Sequence, residues 1–252
     1  MDFLKKSLQF LGVVFVCFST MVGVSVMTQK VMAPKENYAV CAELNEIQKV
    51  VDASLFIEVW GDIDKGTKGI QLGRISRGSG VIIKSSPEET LILTAAHVVD
   101  EGVEIRAKRN HSTYVYWLQL LRIGKGDHSD WAILRAPFWI APAVSLSEEE
   151  YPDLNQYVLS AGYALGFEDI TVTEGRYQGY LNGFLRTTAP IIYGNSGGGM
   201  YQLVKGRLKL IGICSRIFGA YGSSGPPMPF MNLTLGLTSI EIDGGFDGLF
   251  DR

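Results

Sequence analysis

Three hydrophobic patterns succeed one another along the chain. The first is continuous. Residues 7–29 carry no charge, and Leu8 to Met27 form a 20-residue apolar stretch, long enough to cross a ~30 Å hydrocarbon core as a helix. Lys5 and Lys6 precede it. The positive-inside tendency then predicts a short cytoplasmic N-terminus, with the remainder of the chain on the far side. The competing reading is a cleaved signal peptide, whose apolar region is about 7–15 residues and ends in a small-x-small site. Val31-Met32-Ala33 is a poor site of that kind. Residues 1–33 are therefore read as a single-pass membrane anchor, with secretion after signal cleavage as the alternative.

The second pattern has helical spacing. Val40, Leu44, Ile47 and Val51 recur at intervals of four, three and four, which places them on one face of a short helix leading into the domain, over 34–53. The third pattern is a series of brief β-branched and aromatic runs bounded by Gly, Pro, Asn and Asp. Strands are predicted at 55–60, 80–84, 91–94, 103–107, 114–123 and 131–135, then at 157–162, 170–173, 183–188, 199–204 and 208–215. This density implies an all-β sandwich or barrel rather than βαβ units. Residues 136–155 hold Pro137, Pro142, Pro152 and the acidic run 148–150. They read as a linker between a first β half (54–140) and a second (141–252). The alternative is one sheet system with a long surface loop. Residues 243–252, with three glycines and three aspartates, read as a loose tail.

Composition narrows the classes. The chain is 46% hydrophobic and 19% charged, enough apolar material for a sizeable core. A net charge of -3 gives no basic footprint, so nucleic acid is not expected as a partner. The 29 glycines exceed the usual ~7% and favour a turn-rich, strand-rich fold. Cys17, Cys41 and Cys214 do not make a disulfide framework, and His97, His111 and His128 are too scattered for a metal cage. Neither metal nor cofactor is expected.

Chemistry concentrates in three segments. In Tyr193-Gly194-Asn195-Ser196-Gly197-Gly198-Gly199, glycines flank a serine on a tight turn and leave its hydroxyl uncrowded. Within Gly194-Asn195-Ser196, the N–H groups of Gly194 and Ser196 can converge on one point, as an oxyanion hole requires. A glycine-rich hairpin would look the same. The residues also satisfy G-x-S-x-G, but the α/β-hydrolase fold needs a histidine after the serine and none follows His128. A base must come from upstream. Thr94-Ala95-Ala96-His97-Val98-Val99 puts a histidine at the end of an apolar strand, either as that base or as a core histidine bonded to backbone. Asp130, in His128-Ser129-Asp130-Trp131, precedes another apolar strand; it can orient a histidine or cap a turn, and Asp127 competes with it. The order His, Asp, Ser, with the linker between the second and third, is that of chymotrypsin rather than subtilisin.

With these motifs the sequence resembles the trypsin-like serine proteases of the HtrA/Deg type. Further matching segments are Ile47–Val51 with Leu55–Val59, Gly78-Ser79-Gly80-Val81-Ile82-Ile83 and Gly162-Tyr163-Ala164-Leu165-Gly166. The resemblance implies a chymotrypsin-like fold of two six-stranded β-barrels with the site between them. It assigns His97 as general base, Asp130 as orienting carboxylate and Ser196 as nucleophile, with the backbone of Gly194 and Ser196 as oxyanion hole. Digestive relatives carry an aspartate where Asn195 stands, so no propeptide cleavage is expected here. About 35 residues follow Ile217, so a PDZ domain is not expected, and trimer formation does not carry over; a homo-oligomer stays open. Thr188–Tyr193 and Ser215–Gly219 are expected to wall the substrate pocket, with Pro190, Tyr193, Ser215, Arg216 and Ile217 as substrate-binding residues. No acid lies in 186–199, which predicts small or medium apolar side chains over Lys or Arg. The implied activity is endopeptidase cleavage of a polypeptide; a catalytically silent binding protein on the same fold is the alternative.

Overall fold

The strand segments Thr90–Thr94 and Ala132–Ala136 are buried almost throughout, on both faces. The computed structural model describes residues 35–124, 129–149, 151–218 and 231–250. The apolar segment 8–27 lies outside them. Among the described residues no helix is long and apolar enough to cross a membrane.

The chain enters through α1 (Lys35–Ala53). Val50 and Ala53 are fully buried and Ile47 packs beside them, whereas Leu44, expected on the buried face, is 59% exposed. Among the helix residues whose side chains are described, 44–53, the last turns dock, and the apolar face extends less far there than the spacing implied. The Ser54 hydroxyl donates to the Val50 carbonyl at 2.8 Å, satisfying one of the acceptors a helix end leaves open.

Six antiparallel strands then close the first barrel: β1 (Ser54–Asp64), β2 (Ile70–Ser85), β3 (Thr90–Thr94), β4 (Glu104–Arg109), β5 (Tyr116–Ile123) and β6 (Ala132–Ala136), in the order β1-β2-β3-β6-β5-β4. A one-turn helix, α2 (Ala96–Val99), interrupts the run after β3. The β1–β2 hairpin reaches well past the predicted strands. Its outer part exposes Ile70, Leu72 and Ile75, so the apolar residues there line no buried face.

The second half contains β7 (Ser145–Leu146), β8 (Tyr157–Gly162), β9 (Thr171–Leu181), β10 (Phe184–Thr187), β11 (Gly199–Val204), β12 (Arg207–Phe218) and β13 (Met231–Gly236), followed by α3 (Leu237–Ile242). Its sheet runs β11-β8-β9-β10-β13-β12-β7, and the β11–β12 pairing closes six of these strands into a ring. β7 adds in parallel to β12 from within the predicted linker.

The inner part of β2, with β3 and β6, is buried on both faces because the second half of the chain covers one of them. Ile82, Ile92, Ala132 and Leu134 join the core inside the first barrel. Their neighbours Val81, Ile83, Leu91, Leu93 and Ile133 point the other way and pack with Leu159, Ala161, Tyr201 and Ile213. Fully burying a Leu or Ile side chain contributes about 1.5–3 kcal/mol, so this shared layer fixes how the two barrels sit. The ends of β3, β6 and β11 consequently meet at one place.

Candidate active site

His97 sits on α2 rather than on a strand end. Ala95 keeps an extended backbone (φ -80°, ψ 141°) and the chain then turns into the helix. Val98 and Val99 are buried and anchor that turn, which leaves the His97 side chain 48% exposed. Asp130 lies just before β6 and is 6% exposed. The His97 backbone N–H donates to Asp130 Oδ1 at 3.0 Å, and His97 Nδ1 lies 3.0 Å from Oδ1 and 2.9 Å from Oδ2. The Ser215 hydroxyl donates to Oδ2 from the other barrel. Burial alone would raise the Asp130 carboxyl; the hydrogen bonds from His97 and Ser215 and the attraction of His97 outweigh it and hold the group below its ordinary value. An ionised carboxylate only accepts hydrogen bonds, so Nδ1 carries the proton and Nε2 keeps its lone pair. Asp127, the competing carboxylate, and His128 lie outside the described residues.

Ser196 follows β10 on a loop shaped by backbone hydrogen bonds. Gly194 (φ +96°) and Gly197 (φ +81°) occupy the left-handed region that only glycine enters cheaply. Asn195 N–H donates to Ile192 O at 3.0 Å, Gly198 N–H to Asn195 O at 2.8 Å and Gly197 N–H to Cys214 O at 2.7 Å. The N–H groups of Gly194 and Ser196 have no acceptor among the described residues, nor does the Ser196 hydroxyl make a hydrogen bond. Two backbone donors are thus left unused beside an uncommitted hydroxyl. No hydrogen bond joins Ser196 to His97; the segments that carry them meet around Gly78. A β-carbon on Gly78 of β2 would lie 2.6 Å from Val98 Cγ2 and 2.9 Å from the Ser196 carbonyl, so α2 and the serine loop converge on a residue that must lack a side chain.

A sequence model of the trypsin-like peptidase domain matches residues 78–213, more than half of the chain. The chain belongs to the trypsin-like peptidase family. Its relatives include the mitochondrial protease Do-like 4 of Arabidopsis thaliana, 29% identical over 69% of this chain. A probable periplasmic DegP-like serine endoprotease of Pseudomonas fluorescens is 31% identical over 58%. The chain spans about a third of the length of these curated relatives, 34% and 30% respectively. Among solved structures, the HtrA-type protease AlgW with a decapeptide superposes with a TM-score of 0.64 at 22% identity, covering 81% of this chain and 66% of the other. The serine endoprotease of Yersinia pestis gives 0.62 at 21%, covering 82% and 67%. These likenesses establish the two-barrel fold.

In this trypsin-like peptidase the expected substrate-binding residues divide. Pro190 and Tyr193 are exposed at the loop before Ser196, Tyr193 at 81%. Ser215 differs from expectation: its hydroxyl is buried against Asp130 rather than turned to a substrate, because a bulge between Cys214 and Arg216 shifts the register there. Arg216 holds its guanidinium 5.4 Å from the Phe184 ring centroid, and Ile217 is half-buried. The pairing of β11 with β12 ends at Gly199 and Ile213, just before these residues.

Sequence reasoning missed two supports of this candidate site. Ser79 is fully buried, and its hydroxyl donates to Gly194 O at 2.7 Å and accepts from Tyr163 N–H at 2.8 Å. Its N–H donates to Ser196 O at 2.8 Å and its carbonyl accepts from the Thr94 hydroxyl at 2.7 Å. A polar residue between two glycines at the start of an apolar run was the available signal. The second support is Asp243, whose carboxylate accepts from Trp131 Nε1 at 3.1 Å and from the Ser129 hydroxyl, on either side of Asp130. Residues 243–250 are therefore not a loose tail: Arg122 Nη1 also donates to the Gly244 and Gly245 carbonyls, and Phe246, Leu249 and Phe250 pack on the core.

Proposed function

We propose that the chain is a serine endopeptidase using His97, Asp130 and Ser196 as a triad. The observation that carries this reading is the His97–Asp130 pair, hydrogen-bonded through both the ring and the backbone N–H, together with a serine loop that leaves two N–H donors unused. In the proposed reaction His97 Nε2 takes the Ser196 hydroxyl proton as the oxygen adds to a peptide carbonyl. The N–H groups of Gly194 and Ser196 stabilise the oxyanion; Asp130 stabilises the imidazolium. The imidazolium passes its proton to the departing amine, leaving an acyl-enzyme that water hydrolyses with His97 again as base. The peptide backbone adds to β12 beyond Ile213, where β11 no longer pairs. Small or medium apolar side chains are favoured, since the 186–199 segment brings no acid. Asn195 makes the site independent of propeptide cleavage.

A fluorophosphonate probe tests the triad: wild type is labelled and Ser196→Ala is not. The absence of a Ser196–His97 hydrogen bond favours a second reading, a catalytically silent binding protein on the same fold. That reading requires wild type to remain unlabelled while still retaining peptides. We also propose that the 8–27 segment anchors the domain on the non-cytoplasmic side of a membrane, supported by its length and flanking lysines. Resistance to carbonate extraction, with the domain open to added protease from outside, is the expected result.

A further inference from the structure

Arg77 ends the polar stretch of β2, next to the Gly78-Ser79 pair that supports Ser196. Its environment distinguishes it from the neighbouring cations. Glu58 stands opposite it in the β1–β2 register, but Glu58 is already engaged by Arg74 at 2.7 Å and by Lys108 at 3.8 Å. Lys108 in turn holds Glu168 at 2.6 Å. Among the described residues Arg77 makes no hydrogen bond and no ion pair, and it is exposed. Its side chain instead lies against Gly166 in the turn 164–166, where a β-carbon would come 2.5 Å from Arg77 Cζ. Gly166 packs on the oxyanion loop from its other side: a β-carbon on Gly194 would lie 2.8 Å from the Gly166 nitrogen. One glycine therefore separates an uncompensated guanidinium from the proposed oxyanion hole.

The chemistry proposed above fixes which half of a substrate passes there. The acyl half adds to β12 on the second barrel. The departing amine must reach the His97 imidazole, so the leaving half runs over the first barrel, the side to which β2 and Arg77 belong. Resting on that reading, we propose that Arg77 is a specificity-determining residue that selects a carboxylate-bearing residue, Asp or Glu, shortly after the scissile bond. A guanidinium that has no other partner among the described residues forms a charge-assisted pair with a carboxylate, and a lysine at the same substrate position meets repulsion.

The test uses peptides identical up to the scissile bond, with Asp, Ala or Lys placed in turn at each of the next three positions. At one position kcat/KM should rank Asp over Ala over Lys, with about a tenfold span between Asp and Lys that shrinks in high salt. The ranking should persist in Arg77→Lys, flatten in Arg77→Gln and invert in Arg77→Glu. A uniform change across all peptides in these variants would make Arg77 a mere prop for the turn and overturn the proposal. Fluorophosphonate labelling separates the two readings. A labelled wild type that cleaves without a charge ranking sinks the Arg77 proposal alone; an unlabelled wild type that cleaves nothing sinks both.

Discussion

The two halves of the site are built by different means. On the first barrel, His97 and Asp130 are fixed by side-chain hydrogen bonds, with Ser215 reaching over to the same carboxylate. On the second, the loop of Ser196 is held through main-chain groups, by left-handed glycines and by contact with β2. The first half is sensitive to the chemistry of its side chains. The second is sensitive to shape, and tolerates almost no added volume. A proton relay needs groups of matched polarity, whereas an oxyanion hole needs donors aimed at one point and left unbonded in the resting state.

The contrast can be broken most severely at the nucleophile. Ser196→Ala should lower kcat by about 10⁶, and Asp130→Asn by about 10⁴ with the fold intact, since it spoils the imidazole tautomer; steady-state cleavage and circular dichroism measure both. Next comes shape. Gly197→Ala places a methyl group against the Ser79 carbonyl and the Thr94 hydroxyl, at a positive φ. It should cost about 10²-fold in kcat or more, while the downfield proton resonance of His97 Nδ1 persists; loss of that resonance as well would erase the distinction between the halves. A smaller effect is expected for Ser79→Ala, which strands the Gly194 carbonyl and the Tyr163 N–H. About 1–3 kcal/mol of stability and about tenfold in kcat should be lost, with KM little changed.

The smallest effect concerns acid. The folded Asp130 carboxyl is held below its unfolded value, so the stability it contributes is complete above about pH 4 and disappears as pH falls through the folded value. Asp130→Asn, having no such group, should lose less stability between neutral and acid conditions than wild type. Thermal melts across pH measure the difference, and equal losses in the two proteins would remove the carboxylate from this account.

Much of this contrast is legible in the sequence, and unevenly so. Leu91-Ile92-Leu93 and Ala132-Ile133-Leu134 read as strands because burial on both faces leaves an uninterrupted apolar run. The glycines around Ser196 announce a tight turn for the same reason they are needed. β13 stayed hidden because the Gly- and Pro-rich stretch 221–229 adjoins it. Leu44 misled because an apolar spacing says which face a helix could bury, not how many turns find a surface. Ser79 and Asp243 escaped since each acts through a partner more than 80 residues away, and hydrogen bonds of that kind leave no local period. Ser215 was placed near the substrate on a regular strand, and the bulge that turns it toward Asp130 has no signature of its own.

The bridge made by Ser79 gives the molecule an interlock. A hydroxyl on one barrel shapes a loop on the other, so the geometry around Ser196 depends on the halves remaining docked. On the proposed reading, separating the halves would cost the Ser196 loop this support even with each barrel still folded.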